Sequence, residues 1–106
     1  MTQPVEIRST DFWVKVVEML QQNWALIEAV KGDAVCVHFI SDTSGVFDEM
    51  EFPSADAAKR ALERNGFRHF ASSPDLQSFL HPPAALFRRT AHPNGPIYSS
   101  GRFWRA

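Results

Sequence analysis

No aspartate or glutamate follows Asp75 in this chain. All twelve acidic residues precede Leu76, and residues 76–106 carry Arg88, Arg89, Arg102 and Arg105 with nothing of opposite sign among them. An acid-free segment made only of polar residues would read as a disordered basic arm. This one also holds Phe79, Phe87, Tyr98, Phe103 and Trp104, whose large apolar surfaces gain by leaving water, so it is expected to fold back onto the domain or to meet a partner. Cysteine is equally scarce. Cys36 stands alone, which excludes an intrachain disulfide framework and removes any pointer to an oxidising compartment. Set among Val35, Val37 and Phe39, it reads as a small buried apolar residue. No apolar run nears the roughly 20 residues of a membrane span, and Met1 to Arg8 lacks the apolar stretch of a secretory signal. A cytoplasmic protein without membrane attachment is the expectation. The five glycines are isolated, at positions 32, 45, 66, 95 and 101, so no glycine-rich loop is available to cradle a phosphate.

What is present is ordinary for a globular protein. The chain has 106 residues, 44% of them hydrophobic and 22% charged, with a net charge of −1 and a pI near 6.4. A single domain over residues 1–106 is expected, with a core over 10–80 and a C-terminal strap over 81–106. The near-neutral total generates no field strong enough to gather nucleic acid or an acidic membrane.

Thr10 or Asp11 offers a helix cap, and Phe12, Trp13, Val16, Val17 and Leu20 recur at three- and four-residue spacing with Lys15, Glu18 and Gln22 opposite. The pattern predicts an amphipathic helix of about three turns. Three strand-like runs follow: 24–30, 34–41 and 46–52. Lys31-Gly32-Asp33 and Asp42-Thr43-Ser44-Gly45 divide them, which predicts an antiparallel meander. The middle run puts Val35, Val37 and Phe39 on one face and Cys36, His38 and Ile40 on the other, as suits a central strand. In the third run, simple alternation groups Phe47, Glu49 and Glu51 on one face and Val46, Asp48, Met50 and Phe52 on the other; its charge suits an edge. Ser54 caps a second helix bearing Ala57, Ala58, Ala61 and Leu62, closed by Asn65-Gly66-Phe67. Residues 67–70 are a candidate fourth short strand, and Ser73-Pro74-Asp75 opens a third short helix that His81-Pro82-Pro83 stops. Candidate strands at 86–89 and 97–99 lie in an irregular C-terminal segment packed on the sheet. The expected fold class is α+β: helix, three-stranded antiparallel meander, helix, with the helices on one sheet face.

The order helix–three strands–helix over residues 10–66 resembles the double-stranded-RNA-binding domain. That resemblance implies duplex contacts from a lysine-rich start of the last helix and from a histidine-bearing loop between the first two strands. Here the helix opens Ser54-Ala55-Asp56-Ala57-Ala58-Lys59-Arg60, with an acid where phosphate would sit, and the loop is only Lys31-Gly32-Asp33. The family's binding residues therefore do not carry over. Other chemistries find no pattern. His38, His69, His81 and His92 lack the close pairs of structural zinc sites. Asp42-Thr43-Ser44-Gly45 lacks the glycine two residues after aspartate that an aspartic-protease loop needs, and reads as an Asx-stabilised turn. Ser72, Ser73, Ser99 and Ser100 have no nucleophile-elbow context. No catalytic residue, metal or cofactor is expected.

Charge is the remaining lead. Asp42, Asp48, Glu49, Glu51 and Asp56 gather acid along the second hairpin and third strand, opposite in sign to the C-terminal arginines. Within one molecule the tail would lie across the sheet or its edge and form solvated ion pairs. Between molecules, its tryptophan, phenylalanine and arginine are the residue types that interface cores favour. The expected function is a non-enzymatic protein-interaction or self-association module, a homodimer included. Its candidate residues are Trp24, Phe47, Glu49 and Glu51 on the sheet and Arg88, Arg89, Arg102, Phe103 and Trp104 on the tail. One alternative is nucleic-acid binding through that arginine and aromatic tail. The other is a small enzyme or ligand-binding protein using His38 on the helix-free sheet face.

Overall fold

The run 34–41 is apolar on both faces, and the computed structural model places it in the middle of a sheet, paired on either side. Residues 4–18, 21–41, 44–84 and 86–90 are described. In chain order the elements are β1 (Pro4–Val5), β2 (Phe12–Glu18), β3 (Gln21–Lys31), β4 (Ala34–Ser41), β5 (Gly45–Phe52), α1 (Ala55–Arg64), β6 (Arg68–His69), a 3-10 turn (Phe70–Ser72), α2 (Pro74–Gln77) and β7 (Phe87–Arg89). The seven strands form one sheet in the order β1-β7-β5-β4-β3-β2-β6. Its pairings are antiparallel except for β5 with β7, which run parallel.

This corrects the expected helix–meander–helix architecture. Residues 12–18 are a strand, not a helix, and α2 is a single turn. Phe12, Trp13, Val14, Val16 and Val17 are aromatic and β-branched, types that lose rotamer freedom in a helix and fit a pleated surface. The three- and four-residue spacing misleads because both faces of β2 meet apolar cover. Trp13 packs in the core beneath α1, and Val14 packs in a second core on the opposite face. The ladder Phe12↔Leu26, Trp13↔Ala25 and Val14↔Trp24 satisfies the backbone. With its first helix gone, the resemblance to the double-stranded-RNA-binding domain lapses.

The chain wraps a four-stranded meander. From β5, α1 crosses one sheet face and β6 pairs with β2 at the far edge; the 3-10 turn and α2 then supply cover on the other face. The chain re-enters the sheet beside β5 as β7. Residues 87–89 are thus built into the sheet instead of lying over it. On the α1 face, Ala58, Leu62 and Phe67 pack against Trp13, Ala25, Ile27, Val37 and Phe39. On the other face, Leu76, Leu80 and Phe87 cover Val14, Trp24, Leu26, Ile40 and Val46.

Helix α1 has the ends expected of it. Ser54 Oγ accepts from the Ala57 amide at 3.1 Å. At the other end the Phe67 and Gly66 amides donate to Leu62 and Glu63, closing a Schellman turn in which Gly66 takes φ 90°. No helix among the described residues is long and apolar enough to cross a membrane.

Candidate functional site

Side chains alternate along β4, so Cys36 and His38 share the face away from α1. Glu28 of β3 lies across from Cys36 on one side; on the other, Glu51 of β5 faces Cys36 and Glu49 faces His38. Glu49 reaches this face only because β5 is irregular. Ile40 pairs with Val46 while Phe39 pairs with Asp48, so one extra residue, Phe47, is inserted between the pairs. This β-bulge shifts the parity of everything after it. Phe47 enters the α1 core, Val46 faces the other core, and Glu49 and Glu51 stand on the side of Val46. The expected grouping of Phe47 with Glu49 and Glu51 is therefore corrected.

His38 is buried, 5% exposed, between two carboxylates. Its Nε2 lies 3.1 Å from Glu28 Oε1 in hydrogen-bond geometry. Its Nδ1 approaches Glu49 Oε2 to 2.7 Å, yet has no partner aligned for a hydrogen bond. Both glutamates are anchored from behind. Glu28 Oε2 accepts from the Arg8 backbone N–H at 2.6 Å, and Glu49 Oε1 accepts from Arg89 Nη1 at 2.6 Å.

Three carboxylates, Glu28, Glu49 and Glu51, face one guanidinium, so the cluster is acidic. Burial acts to raise the Glu49 pKa, but the hydrogen bond and charge of Arg89, joined by His38, outweigh it and hold the carboxyl below its ordinary value. Burial, then the charges of Glu49, Glu51 and Glu28, push the Cys36 thiol up to about 11 against an opposing pull from Arg89. Cys36 is a neutral thiol at neutral pH while no further cation is near. Among the described residues, Cys36, His38 and Glu49 form a group whose donor atoms all lie within 4.8 Å of one another.

The other candidate residues are scattered. Trp24 is 0% exposed and packs edge-on against Phe12 and Phe70, and Phe47 is buried under α1. Neither offers a surface to a partner. Glu49 and Arg89 meet each other within the chain, while Glu51 and Arg88 are exposed. Arg102, Phe103 and Trp104, and Asp42 of the acidic hairpin, lie outside the described residues.

A second cluster escaped the sequence reading. His69 Nε2 lies 2.7 Å from Asp11 Oδ1, and its Nδ1 lies 2.7 Å from Ser72 Oγ. The cluster borders a shallow hollow that Trp13, Arg68 and Ser73 also line. The order Ser–His–Asp is that of a nucleophile relay. However, the Ser73 amide, the donor that would stabilise an oxyanion beside Ser72, is spent on the Phe70 carbonyl at 3.1 Å. The cluster acts as a bridge that ties the 3-10 turn to the start of β2.

Spacing in sequence showed neither cluster, because both are cross-strand or loop-to-strand contacts. The one local signal was Cys36-Val37-His38, two donors of one face on a strand. No protein-family model, curated protein or solved structure matches this chain.

Proposed function

We propose that this chain is a non-enzymatic binding domain whose working site is the acidic end of the sheet face opposite α1, and that its ligand is a cation. The observation that carries the reading is His38, buried yet held between Glu28 and Glu49, with Cys36 and Glu51 beside it. Burying a histidine between carboxylates costs desolvation, which an apolar residue would avoid at this position in a sheet core. A cation binding there would gain from the surplus of carboxylates over Arg89. Binding to the native state alone raises the unfolding temperature by mass action. The melting temperature of the full chain is therefore expected to rise with a divalent cation over a chelator control, and to rise less in Glu49→Gln and Glu28→Gln. An identical melting temperature with and without every divalent cation tried would sink the proposal.

The self-association or protein-partner reading retains one supporting observation. Phe79 and Leu86 are 61% and 76% exposed, and Arg88 is exposed close to Leu86 in the chain. Sedimentation equilibrium decides it for self-association: a concentration-dependent dimer weakened by Phe79→Ser or Leu86→Ser supports it, and a monomer at all concentrations removes it.

A further inference from the structure

Resting on the cation-binding reading, the geometry points to a divalent transition metal of borderline softness, of the Zn²⁺ class, held by Cys36 Sγ, His38 Nδ1 and a Glu49 carboxylate oxygen.

The hydrogen bonding of His38 carries the inference. Glu28 Oε1 needs a donor, and Nε2 is in place to supply it. Nδ1, on the other side of the ring, lies 2.7 Å from Glu49 Oε2. At that distance one cation, a proton or a metal ion, can be shared by the two atoms. The side chain is only 7% exposed, which leaves solvent little access to Nδ1. Nδ1 is also left without an aligned partner. A metal ion serves both atoms at once as its ligands, whereas a proton shared between them lacks hydrogen-bond alignment. Nitrogen and oxygen donors bound at about 2.0–2.1 Å to one tetrahedral ion lie roughly 3.3 Å apart, so the 2.7 Å spacing present opens slightly on binding.

The atoms behind the histidine have the arrangement that supports metal-bound imidazole. A carboxylate takes the far N–H, fixing the tautomer and aiming the near nitrogen, and that carboxylate is itself held by another donor. Here Glu28 is the carboxylate and the Arg8 amide is the donor. Calcium and magnesium select oxygen ligands, whereas sulfur and imidazole donors select zinc and its neighbours. The Cys36 thiol transfers its proton to solvent and the resulting thiolate binds the ion, so binding releases one proton. The present spread of up to 4.8 Å among the donors must contract at sulfur, to roughly 3.5 Å for a tetrahedral site. Rotation of the Cys36 side chain is the required movement. Glu51, directly across from Cys36, or a water completes the shell.

Arg89 opposes the metal. Its guanidinium is 2.6 Å from Glu49 Oε1, the oxygen beside the proposed ligand atom. Neutralising it in Arg89→Gln removes a positive charge within a few ångströms of the ion and is expected to tighten binding on the order of tenfold.

The test is titration of the reduced full chain with Co²⁺, a spectroscopic stand-in for Zn²⁺, followed by competition with Zn²⁺. One equivalent is expected to bind with a thiolate-to-cobalt charge-transfer absorption that Zn²⁺ abolishes. Cys36→Ser is expected to lose that absorption, Glu49→Gln to weaken binding at least tenfold, and His81→Gln to change nothing. Zn²⁺, but not Mg²⁺, is expected to protect Cys36 of the unmodified sequence from alkylation, a measurement that needs no variant to fold. Co²⁺ binding that depends on Glu49 but shows no charge-transfer band, with Cys36 unprotected, overturns the thiolate site while the cation-binding reading stands. Absence of any binding that depends on Glu28, His38 or Glu49 overturns both.

Discussion

At the scale of single residues, Glu49 is shared between two charged or polar partners. It belongs to His38 through one oxygen and to Arg89 through the other. Its carboxyl ionises below the ordinary range in the fold, against about 4.3 when unfolded. A group depressed in this way contributes stability above its unfolded pKa and loses it as pH falls through the folded pKa. Arg89→Ala removes the leading cause of the depression, so its stability advantage at neutral pH shrinks. Urea midpoints of the two proteins are expected to differ near pH 7, to draw together as pH falls below the unfolded-chain pKa, and to converge once pH is below the depressed folded pKa, where the carboxyl is protonated in both folded and unfolded chains. A difference independent of pH would show that Arg89 acts by packing alone. Glu49 and Arg89 were both legible as charged residues of opposite sign. That they pair within one molecule depends on β7 lying beside β5, which composition does not encode.

At the scale of elements, the junction of β5 and β7 is the least conventional part of the fold. It is a parallel pairing of two short segments, Gly45↔Arg88 and Val46↔Arg89, in an otherwise antiparallel sheet. The Arg88 and Thr90 amides donate to the Ser44 and Val46 carbonyls at 3.0 and 2.9 Å. Gly45 permits the approach. A Cβ there would stand 2.8 Å from Thr90 Cγ2, closer than two carbons tolerate. Gly45→Ala is therefore expected to cost about 1–3 kcal/mol as β7 is pushed outward. Hydrogen exchange should speed up at Arg88 and Thr90 while the β4 amides are unaffected; unchanged exchange at both would refute the role given to Gly45. Because β7 carries Arg89, the same substitution is expected to loosen the Arg89–Glu49 contact. Among the elements, β4, β5 and α1 were legible almost to the residue, since turn residues and the Ser54 cap mark their ends. Segment 12–18 was not, because a strand covered on both faces lacks the polar alternation that distinguishes it from a helix.

At the scale of the whole molecule, two apolar cores share one sheet. Leu62 anchors the α1 side and Trp24 the other, each fully buried. Leu62→Ala is expected to cost about 2–5 kcal/mol and Trp24→Ala about 3–5 kcal/mol. Since every strand of the meander contributes to both cores, each substitution should lower one common unfolding transition. Circular dichroism and the fluorescence of the remaining tryptophans are the two probes. Separate transitions by the two probes, in either variant, would mean that the faces unfold independently.

Where β4 and β5 turn, how α1 is capped and closed, and that Cys36 and His38 share a face are local matters, readable along the chain. Those follow from interactions within a few residues, which are the same in any fold that contains them. That residues 12–18 extend as a strand, that β7 joins the sheet in parallel, and that Glu28 and Glu49 close on His38 emerge only in the folded chain. Each of these depends on backbone pairing between distant segments. For Glu49 the choice rests on a single inserted residue, Phe47, whose bulge exchanges one face of the sheet for the other.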